Sequence, residues 1–339
     1  MKAIELQGTG REERFAMVER ARPEPRRGEV VVRTLAAALN ARDLQIASGT
    51  YVAAFPLPLV PLSDGVGEIV AIGEDVTGFS VGERVAATFW QRWTAGGASQ
   101  QDLTSSLGGP IDGMLAEYVR LDERGIVRVP EHLSDEEAAS LGCSGVTAWR
   151  ALVSEGRIRA GDAVWIQGTG GVSAFALQWA VMHGARALVT SRSPAKLERA
   201  QQLGAAACID ANGGDVAVRI LAHTNGEGVD HIVDVGGPAS IVSSLRALRS
   251  GGQINIVGYL GGMQGDLNPL MLLERQATLR GLQVGPRACF EEMNRAIAAS
   301  RMRPAIDCVF PWTELTAALT RLRSGEHFGK VVLRVSSAL

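Results

Sequence analysis

The sequence predicts an α/β protein, with a doubly wound parallel sheet set inside a chain that begins mostly β. Three observations predict it. A glycine turn, Gly168-Thr169-Gly170-Gly171, joins a short apolar run to a helical pattern. Strand and helix patterns then alternate to residue 284, the rhythm of a parallel sheet with crossover helices. Residues 1 to about 125 read instead as short strands broken by glycine and proline.

The chain has 339 residues, a length that suggests about two domains. Its hydrophobic fraction of 46% supplies sizeable cores. The formal net charge of −2 argues against a nucleic-acid or membrane-surface partner. No run of 18 apolar residues appears, so no membrane span is expected. Met1-Lys2-Ala3-Ile4-Glu5 reads directly as a strand, and no signal peptide is expected. Cys143, Cys208, Cys289 and Cys308 are scattered, without a C-x-x-C, so reduced cysteines and a cytoplasmic location are expected.

In order, the expected strands are Glu29 to Thr34, Ala36 to Asn40, Gly65 to Ile72, Val81 to Thr88 and Leu115 to Leu121. Pro56, Pro58 and Pro61 exclude a helix between Phe55 and Leu62. Residues 90–112 read as a long surface loop that carries Trp90 and Trp93. Ser134 with Glu137 forms a capping box, and Thr147 to Val153 is helical. Strands follow at Ala163 to Gln167, Ala187 to Thr190, Ala207 to Asp210, His231 to Val235, Gln253 to Val257 and Thr278 to Val284. Helices from Gly171, from Pro194, at Val216 to Ala222 and at Ala239 to Leu248 connect them. After Phe290 come helix Glu291 to Ala299, strand Ile306 to Val309, helix Thr313 to Leu322 and strand Val331 to Val335.

The glycine turn carries chemistry as well as shape. Glycines let the backbone approach a pyrophosphate, and the helix that starts at Gly171-Val172 offers free N–H groups to it. Ser173 stands where the third fingerprint glycine is usual, and it is still small. At the end of the second strand an acidic residue would hold the ribose of NAD; here the chain has Thr190-Ser191-Arg192-Ser193, then Lys196. Two cations and no carboxylate predict NADPH, with Ser191, Arg192 and Lys196 at its 2′-phosphate.

The whole chain resembles the medium-chain dehydrogenases/reductases. The resemblance rests on Gly28-Glu29-Val30, Leu39-Asn40-Ala41-Arg42-Asp43-Leu44, Pro61-Leu62-Ser63-Asp64-Gly65-Val66-Gly67 and Val81-Gly82-Glu83-Arg84-Val85. Gly145-Val146-Thr147-Ala148, the glycine turn, Asp234-Val235-Gly236-Gly237 and Phe328-Gly329-Lys330-Val331 complete it. It implies a GroES-like β domain (1–143 with 288–339) and a Rossmann domain (144–287) with a six-stranded sheet. It also implies cofactor contacts at Thr147, Val235, Gly236, Val257, Gly258, Tyr259, Phe328 and Lys330. The zinc-dependent members carry a cysteine where Asn40 stands and a His-Glu pair where Ser63-Asp64 stand. Cys143 falls near the third ligand position, and the four-cysteine lobe is absent, so the chain is most similar to the zinc-free, quinone-oxidoreductase-like branch. No metal is expected.

Asn40, Ser63 and Cys143 are then the candidate catalytic residues, with Asp43 read either as a cleft residue or as a helix cap. Asp64 reads as a structural residue that bonds backbone N–H groups. Tyr51, Trp90, Trp93 and Tyr259 line a pocket or fill a core. The expected function is NADPH-dependent reduction of an α,β-unsaturated carbonyl or quinone, a small-molecule substrate. The alternatives are a zinc-free alcohol or aldehyde dehydrogenase and a nucleotide-binding protein without turnover. The edge strand Thr278 to Val284 predicts a homodimer.

Overall fold

The computed structural model describes residues 1–10 and 14–335. The chain divides into two compact units, Met1–Val146 with Val284–Leu339, and Thr147–Gln283.

The first unit opens with strands β1 (Lys2–Gly8) and β2 (Arg14–Glu19), an antiparallel pair. Strand β3 (Glu29–Ala38) is ten residues long and buries Val30, Val31 and Val32. It absorbs both strands expected between residues 29 and 40. Helix α1 (Ala41–Ser48) follows, an element the proline-rich surroundings hid. It ends at Gly49, whose φ of +73° is the left-handed turn that glycine adopts without a Cβ penalty.

Strands β4 (Asp64–Ile72), β5 (Arg84–Ala87), β6 (Tyr118–Asp122) and β7 (Ile126–Arg128) come next, then helices α2 (Asp135–Ala139) and α3 (Val146–Trp149). The capping box at α2 forms as expected, with the Ser134 amide donating to Glu137 at 2.8 Å. Residues 90–112 form a loop that is exposed over residues 94–101, as expected, but buried at both flanks of that stretch. Trp90 and Trp93 are buried at 6% and 4% exposure. Their indole N–H groups donate to the carbonyls of Val284 and Gly96, so the loop buries its apolar bodies and keeps its polar tips paired.

The second unit contains β8 (Ala163–Gln167), α4 (Gly171–Met182), β9 (Arg186–Ser191), α5 (Pro194–Gln202), β10 (Ala207–Asp210) and α6 (Val216–Ala222). It continues through β11 (Val229–Asp234), α7 (Ile241–Ala247), β12 (Leu248–Ile256), α8 (Leu270–Arg275) and β13 (Thr278–Gly281). All six strands are parallel, in the order β10-β9-β8-β11-β12-β13. The order reverses at β8, so the glycine turn that follows β8 sits at the topological switch point where such sheets take ligands. Trp165, Leu188, Ile232, Leu245 and Ile254 form the core.

The chain returns to the first unit through α9 (Arg287–Ser300), β14 (Ile306–Pro311), α10 (Leu315–Arg323) and β15 (Lys330–Arg334). Strand β15 lies antiparallel to β3, with Val332 opposite Ala38. The sheet runs β14-β15-β3-β4-β5-β7, with β6 paired to β3. This brings the last strand of the protein beside the end of β3 and the start of β4. Among the described residues no helix is long and apolar enough to cross a membrane.

Candidate functional site

In the second unit the glycine turn is built as its sequence requires. Gly168 has φ +73°, and its N–H donates to the Thr190 carbonyl at 2.9 Å. Helix α4 begins at Gly171 with Gly170 as N-cap, no capping side chain and no acidic residue in its first turn. The N-terminal amides of a twelve-residue helix are thus left to an anion. Ser173 does more than fit. Its hydroxyl donates to the Gln167 carbonyl at 2.7 Å and ties the helix to the end of β8. Thr169 is buried and Val172 partly so.

The neighbouring turn depends on Asp234, which is 0% exposed. Its carboxylate accepts from the Gly237 N–H (2.8 Å), Ser240 (2.7 Å), Ser244 (2.7 Å) and Gln167 (3.2 Å). This holds Val235-Gly236-Gly237 against Val257-Gly258-Tyr259. The two turns are also joined by Val257 N–H to Asp234 O and Leu260 N–H to Val235 O. A Cβ on Gly237 would lie 2.8 Å from the Gly258 carbonyl oxygen, so only glycine allows the approach. At the end of β9 the Ser191 hydroxyl accepts from the Ser193 N–H, and Arg192 is exposed, with no ion pair among the described residues. The sheet adds one carboxylate that sequence distance concealed: Asp210 stands opposite Ser191 on β10. It is occupied by its own turn, accepting from both nitrogens of Asn212. An uncapped helix behind a left-handed glycine fits a nicotinamide dinucleotide.

In the first unit five polar residues meet. Asn40 ends the β3–α1 junction, Ser63 and Asp64 open β4, Ser144 lies in a π-helical turn (Leu141–Gly145), and Lys330 opens β15. Lys330 is 2% exposed and donates to Asn40 Oδ1 at 2.7 Å and Asp64 Oδ2 at 3.2 Å. Ser63 donates to Asp64 Oδ1 at 2.9 Å, and Ser144 donates to Asn40 Oδ1 at 2.9 Å. Asp64 therefore bonds side chains, not the backbone N–H groups expected of it. Ser63, fully buried, supports Asp64 with its one proton instead of offering a free hydroxyl.

Asp43 caps α1: its Oδ2 accepts from the Asn40 N–H at 2.7 Å. It borders an apolar hollow with Leu6, Ile46, Leu62 and Leu315, and burial there pushes its carboxyl up to about 6 despite neighbouring Arg42. Burial, and then the Asp64 carboxylate, push the Cys143 thiol up, so it is no thiolate nucleophile at neutral pH. Phe328 is fully buried, and its N–H donates to Asp307 at 3.0 Å. The network around Lys330 escaped the sequence because its members lie up to 290 positions apart. The only signal was that Asn40, Ser63, Asp64 and Lys330 each stood in a motif of the resemblance, while Ser144 stood just outside one.

These residues do not fit zinc. The oxygens of Asn40 and Asp64 already hold an ammonium, and neither Asn40 nor Ser63 is a thiolate or imidazole. Among the described residues no group of three or more His, Cys, Asp or Glu is placed to hold a metal.

A parallel nucleotide sheet inserted into a β unit with a buried polar centre defines a dinucleotide-dependent oxidoreductase. Two family models match, an alcohol dehydrogenase GroES-like domain over residues 26–131 and a zinc-binding dehydrogenase domain over residues 171–299. A zinc-type alcohol dehydrogenase-like protein of Schizosaccharomyces pombe is 40% identical, with 91% of each chain covered. The quinone oxidoreductase of Pongo abelii is 26% identical over 92% of this chain and 90% of its own. The crystal structure of a putative alcohol dehydrogenase from Sinorhizobium meliloti superposes with TM-score 0.93 at 37% identity, covering 98% of both chains. A mycobacterial structure in complex with NADPH matches with TM-score 0.83 at 25% identity, over 99% of this chain and all of that one. The chain belongs to the medium-chain dehydrogenase/reductase superfamily, and it is an oxidoreductase of that family.

Asp43 makes a pH dependence testable. Its carboxyl is near 3.9 when unfolded and about 6 when folded. The unfolded chain therefore releases this proton first, and Asp43's contribution to stability falls between about pH 4 and 6, then levels off. Asp43→Asn keeps an acceptor for the Asn40 N–H and removes the fall. Urea unfolding from pH 4 to 7 is expected to show the variant gaining on the wild type by up to about 3 kcal/mol. A pH-independent difference would place the burial cost elsewhere.

Proposed function

We propose that this protein is a zinc-independent, NADPH-dependent reductase of α,β-unsaturated carbonyls or quinones. The observation that carries the reading is the Lys330 ammonium seated on Asn40 and Asp64, where the metal-dependent members bind zinc. Reduction of a simple carbonyl needs strong stabilisation of a localised alkoxide, the usual task of such a metal. A conjugated acceptor asks for less. Addition at the β-carbon spreads charge into an enolate, which a neutral amide such as that of Asn40 can hold. The α-carbon then takes a proton from water.

The nucleotide unit supplies the rest. The amides at the start of α4 suit the pyrophosphate, the exposed Arg192 suits the 2′-phosphate, and the turns at 235–237 and 257–259 suit the nicotinamide. Bound NADPH provides the hydride. A zinc-free alcohol dehydrogenase is the second reading: the relatives at 40% and 37% identity are named for alcohol dehydrogenases, and the absence of zinc in this reading rests on Asn40, Ser63 and Asp64 alone. The protein acts as a homodimer in this reading. Strand β13 is an edge, and exposed Leu260, Met263, Leu270 and Leu273 precede it, an apolar surface that pairing would cover.

Three measurements test this. With stereospecifically deuterated NADPH and a panel of enones, enals, quinones and simple aldehydes, label is expected on the β-carbon of the enone product, from protein that holds well under one zinc per chain. Label on the carbinol carbon, with efficient oxidation of a secondary alcohol, supports the second reading, and no turnover at all supports a binding protein. Arg192→Ala is expected to weaken NADPH about tenfold or more while leaving NADH nearly unchanged; equal losses would remove the 2′-phosphate assignment. Light scattering at micromolar concentration should give the mass of a dimer, and a monomer would count against the β13 edge.

A further inference from the structure

The side-chain amide of Asn40 can be oriented without ambiguity. Lysine ammonium has three donors and no acceptor, so the Asn40 atom it meets at 2.7 Å must be the oxygen. Ser144 donates to the same oxygen at 2.9 Å, and both lone-pair directions are used. The amide nitrogen is therefore turned away from Lys330 and Ser144. It is buried and has no partner among the described residues, although Asn40 is only 6% exposed. An enclosed N–H group without an acceptor is uncommon in a native interior, and it asks for an oxygen from outside the chain.

We infer that Lys330 and Ser144 are positioning residues that turn the Asn40 amide nitrogen toward the substrate, as donor to an oxygen that accepts only: a carbonyl that becomes an enolate. This rests on the reading above and adds the residues that make Asn40 a donor. The ammonium does two things. It forbids the flipped amide, because an NH₂ group cannot face it. It also draws charge from the amide oxygen, which strengthens the N–H on the opposite side, a cooperative effect of chained hydrogen bonds. Asp64 balances the ammonium and Ser63 holds Asp64, so the arrangement carries no net charge. An alcohol placed by its own O–H proton gains nothing from Asn40 in this orientation.

The test reads the amide directly. In ¹⁵N-labelled protein with NADP⁺ bound, so that nothing turns over, the Asn40 side-chain NH₂ pair (identified by its loss in Asn40→Asp) is followed on adding cyclohex-2-enone. In the wild type the pair is expected to be single and to move downfield. Lys330→Met/Asp64→Asn removes both charges together, and Ser144→Ala removes one donor without touching the ion pair. In the double variant the amide is free to flip, and the shift is expected to be lost; Ser144→Ala, which alters none of the expected cofactor contacts, is expected to lose part of it while NADP⁺ affinity stays within about twofold. The rate constant kcat for the enone should then fall about as far as in Asn40→Ala, on the order of 10²-fold, and in Ser144→Ala KM for NADPH should stay unchanged. Lys330→Arg should restore part of it. Should the double variant not fold, Ser144→Ala alone is expected to lower kcat several-fold with the same partial loss of shift. No shift in the wild type, or an equal shift in every variant, overturns the inference. A Lys330-dependent shift without any turnover would keep the inference as a binding statement and remove the reductase reading.

Discussion

A single buried ammonium joins the parts of the first unit that matter for chemistry. Lys330 enters on the last strand, Asn40 on the turn out of β3, Asp64 on the first residue of β4, and Ser144, bonded through Asn40, on a π-helical turn. The strands β15, β3 and β4 are neighbours in the sheet, so the backbone ladder brings Lys330, Asn40 and Asp64 together. Removing one partner of such a pair strands a charge without water, which costs about 3–5 kcal/mol. The pair therefore makes the register of the last strand and the geometry of the site one constraint: a slip of β15 by one residue would turn Lys330 out of the network.

The second unit answers a similar problem with the opposite charge. Asp234 is as buried as Lys330 but has no cation beside it among the described residues. Four neutral donors, one of them a backbone N–H, hold its carboxylate instead. Such a nest stabilises the anion and, in return, locks the turns at the ends of β11 and β12. The cost falls on sequence freedom. Gly237 accepts a left-handed φ of +74° and a close carbonyl, and no other residue type fits there.

Much of this was legible in the chain. The six parallel strands, their helices other than α8, the glycine turn, the capping box at Ser134 and the motifs of the family follow from local pattern, because each depends on residues within a few positions of one another. The misreadings share the opposite property. Residues 90–112 look like a surface loop by composition, yet Trp90 is buried through a bond to Val284, 194 residues away. Helix α1 hides beside a proline-rich stretch and is only eight residues long. Ser63 reads as a cleft hydroxyl until Asp64 is seen to take its proton.

The sequence by itself determined the class of fold and the place of the dinucleotide turn, since periodicity and local glycine pattern suffice for both, and its resemblance to the family implied the loss of the zinc-ligand residue types. Only the tertiary structure decided what replaced those ligands. That Lys330 faces Asn40 and Asp64 and that Asp210 stands beside Ser191 are facts of strand pairing, and Ser144 reaches the amide oxygen from a π-helical turn packed there. Pairing is set by the burial of whole sheet faces, and no local stretch of chain carries it.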